Sequence, residues 1–168
     1  MPLIVLRMRD PLGDSAADLA SAAGIGVVAG LRSMTAPALV ALAINRKHLP
    51  PPAGKLSAMR ANRTAAILAV LAVGELVVDK LPGVPKRTSP MALIARVATG
   101  AFAAAVLSSS RERSVAGGAI AGGLGAVAGA FAGYSARKEI VKNTRATDPI
   151  VAVVEDAIAI ACGLMLVA

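Results

Sequence analysis

Tryptophan is absent from this chain, and its only aromatic residues are Phe102, Phe131 and Tyr134. The aromatic girdle that anchors many membrane proteins at the headgroups is therefore all but missing. No row of aromatic side chains exists on which bases could stack, which argues against a single-stranded nucleic-acid binder. Cys162 is the one cysteine and His48 the one histidine. An intrachain disulfide is excluded, and a Cys/His metal site fails on residue count, so neither metal nor cofactor is expected. The scattered serines have no histidine partner within an apolar stretch, and neither a P-loop nor a dinucleotide fingerprint occurs, so little points to an enzyme. Charge is scarce as well: 17% of residues are charged, against about 25% in a soluble domain.

What fills the chain instead is Ala, Val, Leu, Ile and Gly. Hydrophobic residues make up 56% of 168, and the mean hydropathy is +0.68. The apolar residues come in long runs with the charges mainly between them, the layout of an all-α integral membrane bundle with about five membrane segments. The net charge of +8 does not imply nucleic acid, because the basic residues are dispersed over connecting loops. Loop Lys and Arg set topology and meet anionic headgroups, so the bilayer is the expected partner.

Residues 1–14 read as a short polar leader with Pro2, Pro11 and Gly13 and without the apolar core of a signal peptide. The remainder, 15–168, reads as a single membrane domain. Its first apolar stretch, 15–44, would be about 45 Å long as one helix, well beyond a hydrocarbon core of about 30 Å. Pro37 disrupts a helical ladder and Ser33 or Thr35 can cap a new helix, which predicts a kinked span or two half-helices meeting at membrane depth. Further segments are expected at 64–81, 90–107, 115–136 and 149–167, the third opening with Thr88 or Ser89 as N-cap and Pro90 at its first position. The fourth carries Gly125, Gly129 and Gly133 at four-residue spacing beside Gly118 and Gly122, a small-residue stripe suited to helix packing.

Gly26-Val-Val-Ala-Gly30 echoes Gly125-Ala-Val-Ala-Gly129, and Ala72-Val-Gly-Glu75 echoes Ala152-Val-Val-Glu155. Three crossings separate each pair, so the echoes suggest an inverted repeat, the design in which transporters place a site at the midplane. If the first stretch spans, basic loop residues number nine on the N-terminal side (Arg7, Arg9, Lys80, Lys86, Arg87, Arg137, Lys138, Lys142, Arg145). They number seven on the other (Arg46, Lys47, Lys55, Arg60, Arg63, Arg111, Arg113). That near-balance does not choose an orientation, and a re-entrant first segment would alter it.

Seven ionisable residues interrupt the apolar stretches or flank them: Arg32, Glu75, Asp79, Lys80, Arg96, Glu155 and Asp156. A charge at the centre of a membrane helix costs roughly 2.5–3.5 kcal/mol on insertion scales, so these residues must pair, face water or work. Arg32-Ser-Met-Thr-Ala-Pro37 and Arg87-Thr-Ser-Pro90 each place an arginine and hydroxyls just before a helix start, where exposed N–H groups favour an anion. Arg32, Ser33, Thr35, Arg87, Thr88 and Ser89 are thus candidate anion-site residues, against a structural reading as ordinary caps. Glu75 and Asp79, four apart on one helix face, and Glu155 with Asp156 could bind a coupling ion or carry protons. Their structural reading is mutual neutralisation, with Arg32 expected to pair with Glu75 or Asp156. Lys80 is expected to snorkel, Cys162 to be a small core residue and His48 to be solvated.

The motifs Gly30-Leu-Arg-Ser-Met-Thr-Ala-Pro37, Gly74-Glu-Leu-Val-Val-Asp-Lys-Leu-Pro82, Lys86-Arg-Thr-Ser-Pro90 and Glu155-Asp-Ala-Ile-Ala159, in this order, resemble a family of small bacterial membrane proteins known only as a domain of unknown function. The resemblance covers residues 20–168. It implies a multi-helix bacterial membrane protein and brings no activity, substrate or catalytic residue with it. The expectation is a multi-pass protein of the bacterial inner membrane, self-associating and most simply dimeric. It would be a small transporter or channel for an ion or small solute, anionic solutes included, or else a scaffold whose charges only lock helices together.

Overall fold

The computed structural model describes residues 16–79, 89–143 and 148–168, all in helices and short connections, with no strand among them. The helices are α1 (Ala16–Leu31), α2 (Thr35–Asn45), α3 (Asn62–Val78), α4 (Pro90–Ser110), α5 (Val115–Asn143) and α6 (Asp148–Val167), with a 3-10 turn at Gly54–Arg60 before α3. α4, α5 and α6 are long and apolar enough to cross a membrane, and α3 meets the same measure together with the 3-10 turn, from which it bends by 72°. Their outward faces are apolar as well: Val70, Ile94, Ile120, Leu124, Ile158 and Met165 are exposed. Helices apolar all round belong in lipid, and the chain is an all-α membrane bundle. Ser89 and Pro90 take the N-cap and first positions of α4, as the sequence predicts. α5 runs past the expected end at residue 136, because Arg137, Lys138 and Glu139 are good helix formers that continue it.

The core seam is α5 lying between α1 and α4. A Cβ on Gly125 would stand 2.1 Å from the Ala23 carbonyl oxygen, and one on Gly129 would stand 2.4 Å from that of Val27. From the other side, Cβ atoms on Gly26 and Gly30 would meet the carbonyls of Gly122 and Ala126 at 2.1 and 2.3 Å. The four positions step together along both helices, so α1 and α5 run parallel with backbones in direct contact. Gly118 and Gly122 give α4 the same close approach, a Cβ on each standing 2.1 Å from Ser108 Oγ and 2.3 Å from Ala104 Cβ. Without lipid-independent hydrophobic drive inside a membrane, such close backbone packing supplies the dispersion contacts that hold helices together.

The first apolar stretch does not span. α1 runs antiparallel to α6, with Gly24 beside Leu166, Val28 beside Gly163 and Arg32 beside Asp156. α2 then runs parallel to α6: Leu39 packs on Gly163, and Leu42, Ala43 and Arg46 line one small cavity with Leu164, Val167 and Ala168. α1 and α2 therefore form a re-entrant hairpin with its tip at Arg32–Met34. Both of its ends lie on the face that carries the α4–α5 turn, where Asp18 pairs with Arg113 at 3.0 Å and Ala53 N–H donates to Ser109 Oγ at 3.3 Å. The basic loops at 46–63 and 111–113, placed opposite the start of the first segment by the spanning count, share its face. Among the described residues α4, α5 and α6 have the length of a crossing, and α3 has it together with the 3-10 turn, so with the hairpin the membrane segments number four or five. The Gly26 and Gly125 echoes fall on parallel helices that pack on one another. The α1–α5 relation is thus not an inverted one, because the hairpin removes one crossing from the count.

Candidate functional site

The hairpin tip is made by a local conflict. Pro37 has no N–H, and its ring crowds the carbonyl four residues back, that of Ser33, so a helix cannot run through the tip. Arg32 N–H closes the last bond of α1 on the Val28 carbonyl at 2.8 Å, and the first α-helical bond of α2 is Ala38 N–H to the Met34 carbonyl at 3.1 Å. Between them, helix-end N–H and C=O groups lie at membrane depth, where leaving any unpaired costs several kcal/mol. Asp156 fixes the depth: it lies about 12 Å along α6 from Asp148 and about 17 Å from Val167 at 1.5 Å per residue.

Side chains from other helices complete both sides of the tip. Glu75 of α3 accepts hydrogen bonds from Ser33 N–H on Oε1 and from Met34 N–H on Oε2, both at 2.8 Å. Arg96 of α4 donates from Nη1 to the Gly30 and Leu31 carbonyls, at 2.8 and 2.9 Å. An anion thus meets the positive end of α2 and a cation the negative end of α1, both favourable against the helix dipoles. The N-cap of α2 is Met34, without a side-chain cap bond, so neither Ser33 nor Thr35 does the capping expected of it. Thr35 is buried in the first turn of α2.

Arg32 occupies the middle of the tip with 0% of its surface exposed. Its Nε donates to Asp156 Oδ1 of α6 and its Nη1 to Asp79 Oδ2, at the C-terminal end of α3. The expected Arg32–Asp156 pair forms. Glu75 takes the backbone amides instead, and Asp79 replaces it on the guanidinium. Arg32 Nη2 has no hydrogen-bond partner among the described residues. Among the described residues, two guanidiniums and three carboxylates from the hairpin, α3, α4 and α6 converge at one level. Among opposed charges removed from water, such mutual pairing is what offsets desolvation.

Glu155 points elsewhere. Its Oε1 lies 3.2 Å from where a Gly133 Cβ would stand, and it lines a cavity of about 280 Å³ between α5 and α6 with Val27, Leu31 and Arg137. Neighbouring positions on a helix diverge by about 100°, which separates Glu155 from Asp156. Ser89 sits at the α4 N-cap without a side-chain cap bond, while Arg87, Thr88 and Lys80 lie outside the described residues. Gly125, Gly129 and Gly133 line the α1 seam described above. Cys162 is exposed on the outer face of α6, not in the core, and His48 is exposed as expected. The working residue that sequence reasoning left without a role is Arg96. Its signal was present: a cation two turns inside an apolar helix, in a chain whose broken first segment frees carbonyls.

The model of the family described as a domain of unknown function, DUF4126, matches residues 19–168. The chain belongs to this family. No curated protein and no solved structure gives a significant match. The DUF4126 match takes in the whole hairpin and every residue of the charged tip, so the site lies wholly within the family's domain.

Proposed function

We propose that this chain is a small multi-pass transporter or channel of the bacterial inner membrane, passing an ion or small solute through the charged tip of its re-entrant hairpin. The observation that carries this reading is that helix ends lie at membrane depth and are completed by an acidic side chain of α3 and a basic side chain of α4. Discontinuous helices whose ends point at a charged site within the bilayer are the construction transporters use to bind ions and solutes. Intramembrane charges are costly, and a transport pathway gives them a use.

The burial of Arg32 between Asp79 and Asp156 favours a second reading, a scaffold in which the charges only lock helices. Flux through proteoliposomes separates the two. A transporter gives protein-dependent uptake of at least one ion or small solute, reduced in Glu75→Gln and Asp156→Asn proteins that still fold. No uptake across a broad anion and cation panel would leave the scaffold.

A further inference from the structure

We infer that the paired amides of Ser33 and Met34, with Arg32 beside them, form a seat for a small carboxylate, and that Glu75 occupies this seat until it takes up a proton and yields to an external carboxylate. The inference rests on the transport reading and names its substrate class.

Three observations carry it. First, the two amides receive both oxygens of one carboxylate at equal distances of 2.8 Å, a two-point fit to a planar anion at the N-terminus of the 11-residue α2. Second, Arg32 is wholly buried at the same tip and its Nη2 donates to nothing among the described residues, which leaves donor capacity for an incoming oxygen. Third, Glu75 is the exchangeable member of the carboxylate trio. Arg32 bonds Asp79 and Asp156 directly, whereas Arg96 Nη2 stands 4.0 Å from Glu75 Oε1, beyond hydrogen-bonding range.

The charge balance sets the coupling. Among the described residues, the charged groups around Glu75 are Arg96 from α4, Arg32 in the tip, Asp79 one turn along α3 and Asp156 from α6. An anion added to this set meets the repulsion of three carboxylates. A proton placed on Glu75 removes one negative charge and turns a strong acceptor into a weak one, so the amides release it. One carboxylate then enters, and the centre carries the same net charge before and after. Transport of the carboxylate with a proton follows, with no bond made or broken besides the O–H on Glu75.

The test uses the purified full-length protein with formate and acetate as probes. Glu75→Ala empties the seat. This variant should melt below wild type and regain several degrees with millimolar formate or acetate, but not with chloride. Glu75→Gln, whose side chain still fills the space, should not respond. Wild-type proteoliposomes should take up radiolabelled acetate under an inward proton gradient faster than protein-free liposomes, which acetic acid enters unaided, and Glu75→Gln proteoliposomes should not exceed that protein-free rate. If Glu75→Ala does not fold, the uptake comparison alone decides. Absence of rescue by either carboxylate in folded Glu75→Ala overturns the seat. Cation uptake without acetate uptake overturns the carboxylate assignment and keeps the transport reading. Rescue with no uptake of any solute keeps the seat and removes the transport reading.

Discussion

Glu75 Oε1 and Arg96 Nη2 stand 4.0 Å apart, and between them they complete the two opposed helix ends of the hairpin tip. Neither residue belongs to the hairpin. The carboxylate from α3 takes the amides of α2 and the guanidinium from α4 takes the carbonyls of α1, so the tip is held from outside. A turn held this way can be released by changing one charge, which a turn held by its own backbone cannot. Residues acting on one element couple, so a double-mutant cycle with Glu75→Gln and Arg96→Gln should show non-additivity of about 0.5–3 kcal/mol in detergent unfolding. Additive losses would mean that the two ends are held independently.

Asp156 holds Arg32 from α6, a crossing helix that packs along both arms of the hairpin. Removing one partner of a buried ion pair strands the other charge, at a cost of about 3–5 kcal/mol. Asp156→Asn should therefore lower unfolding stability by an amount in that range. A loss below about 1 kcal/mol, the value of an exposed pair, would place Arg32 in contact with water.

Two glycines separate packing from helix propensity. A Cβ at Gly129 would stand 2.4 Å from the Val27 carbonyl oxygen, and backbone cannot yield as a side chain can. Gly129→Ala should destabilise by about 1–3 kcal/mol through overpacking. A Cβ at Gly74, within α3, meets nothing within 4 Å. There Ala restricts the unfolded chain and favours the helix, and Gly74→Ala should stabilise by roughly 0.5–1 kcal/mol. Thermal unfolding of the two variants should move in opposite directions.

The hairpin predicts sidedness. In a Cys162→Ser background, a cysteine at Ala16 and one at Lys47 should react with a membrane-impermeant maleimide from the same face, and one at Lys142 from the other. Labelling of positions 16 and 47 from opposite faces would mean that the first segment crosses the membrane.

Much of this was legible in the sequence. Five membrane segments followed from the apolar runs, the break followed from Pro37 and the excess length of 15–44, and the shared face of Glu75 and Asp79 followed from their spacing. The return of α2 was not legible, because a helix break fixes no direction by itself. That direction comes from contacts more than 40 residues distant, Glu75 on Ser33 and Asp156 on Arg32. The exposed N–H groups at the start of a second half-helix were legible too, but not that Glu75 of the same chain accepts from them. Nor could composition tell that the small residues of Gly26–Gly30 and Gly125–Gly129 resemble each other while facing each other across one seam.

Access to the tip from water separates a transport site from a charge lock. A cysteine at Ser33, in the Cys162→Ser background, should be modified by a small charged thiol reagent applied from either aqueous face, since a transport site must reach both. Protection from both faces in folded protein would make the tip a permanently dry charge lock and contradict the account.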